Sequence, residues 1–156
     1  MTYIITYENK FDEDYVGNNK VGYRCDHRTL DEYVVKSLDQ CKDVLRNILD
    51  VPEKELTDQE IKDDFGSIQY PIDDAKLATI KEYYNGRLAL HNKAVEAVES
   101  YTSYFEDIKN GVKDGANDVA LVYDIPEKYN SFIVADDFDA GFKQLYATLT
   151  IKIMID

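Results

Sequence analysis

The chain has 156 residues, of which 44% are hydrophobic and 31% charged, and its 31 acids exceed its 18 bases to leave a net charge of −13. That length suits a single domain over residues 1–156, and the apolar share excludes wholesale disorder. A field of that sign excludes a broad basic face for nucleic acid or anionic lipid and favours basic proteins and cations.

Residues 2–8, "TYIITYE", alternate in the manner of a strand and are rich in β-formers. The polar stretch "FDEDYVGNNK" reads as a turn, and "KVGYRC" as a second strand closing a hairpin. Thr29 stands three residues before Glu32, the spacing of a capping box, and opens an expected first helix. Leu30, Val34, Leu38, Cys41, Leu45 and Ile48 would form its apolar face, with Pro52 past its end. A second box, Thr57 with Glu60, opens a short helix that Gly66 can close.

The longest element begins near Asp73 and Asp74. Its seam runs through Leu77, Ile80, Tyr84, Leu88, His91, Val95, Val98, Phe105 and Ile108 and holds its phase across Asn85-Gly86, which predicts one continuous helix. Beyond it, "VALVYDI" at 119–125 reads as a buried strand, "SFIVA" at 131–135 as another, and "DDFDAG" at 136–141 as a turn. The segment "QLYATLTIKIMI" alternates with Leu145, Ala147, Leu149, Ile151, Ile153 and Ile155 on one side, a strand with one buried face. The expected fold is α+β: a mostly antiparallel sheet of about five strands, order β-β-α-α-α-β-β-β, packed by helices that include one long one.

Chemistry-bearing motifs fail on inspection. In "DDFDAG", with Asp137 as first ligand, Asp139 fits a calcium loop, but Gly141 is one place early and Thr148 stands where Glu is needed. Cys25 and His27 have only isolated Cys41 and His91 to complete a zinc set, and Cys25 with His91 is a nucleophile pair by residue type alone. Cys41 and His91 fall on helix seams, where a buried thiol and a hydrogen-bonded core histidine are the expected readings. There is no phosphate loop, HExxH or GxSxG motif, so no catalytic residue, metal or cofactor is assigned and the protein is read as a non-enzyme. No basic start precedes an apolar run, and no stretch of about 18 apolar residues occurs, so a soluble cytoplasmic protein is expected.

The charge itself is uneven. Residues 50–74 hold nine acids and two bases, residues 114–139 hold seven acids and one base, and these segments account for the whole excess. Glu60 shares a helix face with Asp63 and Asp64, where like charges cost a few tenths of a kcal/mol, about 0.2–0.5 for each pair. Carboxylates about 6 Å apart on a helix crudely resemble phosphates along a nucleic-acid strand. Thirteen tyrosines against six phenylalanines, with Tyr83, Tyr84, Tyr101 and Tyr104 on the long helix, add amphipathic side chains favoured in interfaces.

In size, charge and lack of chemistry the chain resembles the small acidic inhibitors of phages and mobile elements, among them anti-CRISPR, anti-restriction and other DNA-mimic proteins. The resemblance is one of general character and transfers no residue. The function expected is inhibition of a basic nucleic-acid-processing protein, such as a nuclease, with no direct nucleic-acid or membrane binding. The partner-binding residues would be Asp58, Glu60, Asp63, Asp64, Asp73 and Asp74, helped by Asp136, Asp137 and Asp139. A toxin immunity protein would use the same physics. A structural protein pairing through its long helix is the alternative of a different class.

Overall fold

The computed structural model describes the backbone of residues 1–16, 22–125 and 140–156, and the side chains of residues 1–8, 30–125 and 147–156. The elements in chain order are β1 Thr2–Val16, β2 Gly22–Val35, α1 Leu38–Leu49, α2 Asp58–Phe65, α3 Asp74–Lys109, β3 Asp118–Ile125 and β4 Ala140–Met154. The class is α+β, with one antiparallel sheet in the order β2-β1-β4-β3 and one long helix. The strand expected at 131–135 lies outside the described residues, as does the acidic turn up to residue 139; Ala140 and Gly141 belong to β4.

The sheet is built on the pairing of β1 with β4. Tyr3, Ile5 and Tyr7 lie opposite Ile153, Ile151 and Leu149, and all six are buried. These residues form one inward face, which α1 and α3 cover with Cys41, Leu45, Leu49, Ala94, Val98 and Phe105. The alternate positions face the other way: Val122 and Val34 are exposed there, with Thr150 and Lys152 partly so. Strict alternation in "ATLTIKIM" is the reason one face is a core and the other is wet.

Three expectations are corrected. β1 continues through residues 11–16, where a polar turn was expected, because it is a central strand there: Phe11 to Val16 pair with His27 to Gly22 of β2, and Phe11 to Tyr15 also pair with β4. Backbone pairing on both sides outweighs the polar composition. Second, the capping box at Thr29 and Glu32 is strand. β2 runs on to Val35, and α1 starts only after Ser37, whose hydroxyl accepts from the Gln40 amide at 3.2 Å. The step of four from Leu30 to Val34 fits a period of two as well as one of 3.6, so the apolar spacing could not separate strand from helix. Third, β3 is an edge strand in which exposed and partly covered residues alternate, rather than a buried one.

The other helix starts stand. Thr57 caps α2, its hydroxyl accepting from the Glu60 amide at 3.2 Å, and Asp73 caps α3, accepting from the Lys76 amide at 2.8 Å. The 36 residues of α3 run unbroken through Asn85-Gly86 for about 54 Å. Its buried line is Leu77, Ile80, Arg87, His91, Ala94, Val98, Thr102 and Phe105, so Leu88 and Val95 lie at the margin. His91 is bonded through Nδ1 to Asn92 Oδ1 at 3.1 Å, while its buried Nε2 has no partner.

Two polar contacts fix α3 to β1. Thr102 donates its hydroxyl proton to the Val98 carbonyl at 2.7 Å, so Tyr3 donates to Thr102 Oγ1 at 2.9 Å. At the other end buried Arg87 donates from Nε to the Leu49 carbonyl at 2.6 Å, and from Nη2 to the Ile48 carbonyl and the Tyr7 hydroxyl, both at 3.4 Å. Its Nη1 donates to the Tyr83 hydroxyl at 3.2 Å. The cation thus meets the C-terminal carbonyls of α1, the negative end of that helix.

Arg87→Ala should lower the unfolding free energy by about 2–4 kcal/mol, because it orphans buried carbonyls. Arg87→Lys should recover only part of this, since one ammonium cannot span the same acceptors. Urea denaturation measures both; a loss for Arg87→Ala below about 0.5 kcal/mol, the range of ordinary surface changes, would contradict the assignment. Burial pushes the Cys41 thiol up to about 12, so it stays protonated and inert at neutral pH. In a Cys25→Ser background, Ellman's reagent should react with Cys41 only after denaturant unfolds the chain.

Candidate protein-binding site

A second, smaller core stands beside the main one. Ile61 of α2 packs with Leu77 and Ile80 of α3, bordered by Leu56, Phe65, Ile72 and Tyr84. The Phe65 and Tyr84 rings lie 5.7 Å apart, and Tyr83 meets Tyr84 edge-on at 5.0 Å. Burial raises the hydroxyl pKa of both Tyr83 and Tyr84. This core takes up Leu56, Ile61, Phe65 and Ile72 of the acidic segment, while Asp58, Asp63 and Asp64 of α2 are exposed.

Each carboxylate has its own local setting. Asp58 receives Lys81 Nζ of α3 at 2.9 Å, and this hydrogen-bonded cation holds its carboxyl below the ordinary range. Glu60 Oε1 accepts from the Thr57 hydroxyl at 3.1 Å, with Lys54 at 3.9 Å. Asp63 Oδ1 accepts from Gln59 Nε2 at 2.8 Å. Asp73 is the cap of α3 and Asp74 lies in its first turn, at the positive end of the helix dipole. Asp64 is exposed on α2. The six carboxylates of this stretch therefore belong to one small unit, but Asp58 and Asp73 serve the fold directly.

Asp118 and Asp124 of the second acidic segment do not join them. Asp118 and Asp124 lie on the open sheet face, opposite the helices, where Asp118 faces Lys152 at 3.8 Å and Asp124 accepts from the Thr148 hydroxyl at 3.4 Å. Asp136, Asp137 and Asp139 lie outside the described residues. Among the tyrosines, Tyr84 packs between α2 and α3, Tyr83 lies against Tyr84 and Arg87, and Tyr101 is only marginally exposed.

Apolar periodicity does not single out the turn that joins α2 to α3. Ile68 is fully exposed and Tyr70 largely so. The turn is closed by the Ser67 amide on the Tyr70 carbonyl at 3.1 Å and the Tyr70 amide on Ser67 Oγ at 2.9 Å. A Cβ on Gly66 would lie 2.9 Å from the Lys62 carbonyl and 3.2 Å from Ile72, so only glycine lets the returning chain approach the end of α2. The signal was present in "SIQYP": two large apolar residues in a short polar connection ahead of Pro71.

Among the described residues no cluster of His, Cys, Asp and Glu is arranged to hold a metal, and no helix is long and apolar enough to cross a membrane. Comparison of the chain with protein-family models, curated proteins and solved structures gives no match.

Asp73→Ala should cost about 1 kcal/mol of stability as a lost helix cap, whereas Asp64→Ala should stay within about 0.5 kcal/mol. Thermal or urea unfolding of the two variants checks this. Equal losses would show that Asp64 also serves the fold.

Proposed function

We propose that the protein is a non-enzymatic inhibitor that docks the acidic end formed by α2 and the start of α3 onto a basic nucleic-acid-processing protein. The observation that carries the reading is the gathering of Asp58, Glu60, Asp63, Asp64, Asp73 and Asp74 around one small core. Lys76 and Lys81 dilute this charge, and Lys81 neutralises Asp58, so the steering falls mainly to Asp63, Asp64 and Asp74. Exposed carboxylates spaced along a helix offer a basic groove a substitute for phosphates. Attraction of this kind accelerates encounter and weakens as salt screens it. The long helix is a poorer candidate for self-pairing, because its apolar line is already packed against α1, α2 and the sheet.

The test is affinity capture from a bacterial lysate on the immobilised protein, followed by binding assays with the purified captured protein. The expected result is a basic nuclease or nucleic-acid-binding protein, released as salt rises from about 0.05 to 0.5 M and displaced by duplex DNA. The double variant D63K/D64K should lose it. A captured protein that stays bound across that salt range, or binds the double variant equally well, would overturn the reading.

A further inference from the structure

The turn between α2 and α3 encloses an open groove of about 490 Å³, lined by Lys62, Asp63, Gly66, Ile68, Pro71 and Ile72. Three properties coincide there. Ile68, Pro71 and Ile72 give apolar walls, Asp63 supplies a carboxylate, and the groove opens at the C-terminal, electronegative end of α2. Gln59 occupies Asp63 Oδ1, which leaves Oδ2 for another donor. An apolar slot ending in negative charge suits a side chain with a hydrocarbon stem and a cationic head. A guanidinium fits better than an ammonium, because it is planar, weakly hydrated and donates to a carboxylate as a fork.

We infer that this groove is a subsite for an arginine side chain of a basic protein partner, with Ile68 and Tyr70 beside it burying apolar surface against the same partner. The inference rests on the acidic docking reading above and names its anchor point. Interface energy concentrates in a few desolvated contacts, while rim charges contribute mainly to encounter. The carboxylates along α2 then bring the partner in, and the turn holds it. Gly66 and the Ser67–Tyr70 hydrogen bonds fix the turn in advance, so little ordering is needed on binding. Lys62, which also lines the groove, opposes a cation and sets the sign of one variant.

The experiment is a titration of the isotope-labelled full chain with N-acetyl-arginine methylamide, read by backbone amide NMR, with the neutral citrulline analogue as control. The expected shifts centre on residues 62–72 and are absent with citrulline. Asp63→Asn and Ile68→Ser should each weaken binding by about two- to fivefold, and Lys62→Gln should strengthen it by a similar factor. Ile68 is fully exposed, so its variant should keep the parent amide spectrum elsewhere. Shifts spread over all the acidic segments, or affinities indifferent to Asp63 and Ile68, would overturn the subsite. A captured basic protein that is salt-sensitive yet binds Ile68→Ser as well as the parent would sink the subsite and leave the docking reading. Arginine bound in the groove with no basic protein captured would sink the docking reading, and with it the protein partner, and leave only the groove's preference for a guanidinium.

Discussion

The arrangement depends on one buried cation. Arg87 joins the last carbonyls of α1, the inward hydroxyl of Tyr7 on β1 and Tyr83 on its own helix. Without it, the buried Leu49 carbonyl at the end of α1 would lose its side-chain donor. A guanidinium serves because it offers five donors in a fixed plane and because the end of α1 is electronegative. The same residue marks the boundary between the two cores. C-terminal to it α3 lies on the sheet and α1, and N-terminal to it α3 carries α2.

That boundary explains how the acidic segment can project without loosening the fold. A continuous helix transmits the orientation of the main core to the smaller one, and the Gly86 propensity cost of about 1 kcal/mol is offset by packing on both sides. Asn85 Oδ1 and His91 Nε2, both buried and without partners, flank the Arg87 position.

Charge and structure share the same side chains at the far end. Asp58, Glu60, Asp73 and Asp74 occupy the first turns or caps of helices, where the dipole and free amides favour a carboxylate. The repulsion expected from clustered acids is thus partly cancelled before any partner is considered. Asp63 and Asp64, in the second half of α2, have no such offset from the dipole. They border the turn that presents Ile68 and Tyr70, so the least compensated charge and the most exposed apolar surface are neighbours.

The sequence by itself determined the strand at "ATLTIKIM", the cap Thr57, the start of the long helix near Asp73 and its unbroken run. Each rests on a period or on a hydrogen bond closed within three residues, which local chemistry decides. It could not place the start of α1, since Leu30 and Val34 satisfy both periods; pairing with β1, distant in the fold's logic though near in sequence, made that stretch a strand. It passed over Arg87, although the residue keeps phase with Ile80 and His91 along the seam, because its partners are carbonyls at the end of another helix. The separation of Asp118 and Asp124 from the helical acids, and the groove beneath Ile68, were likewise settled only by tertiary structure. Sheet order and the return of the chain past Gly66 bring together, or keep apart, residues whose spacing in sequence carries no such information.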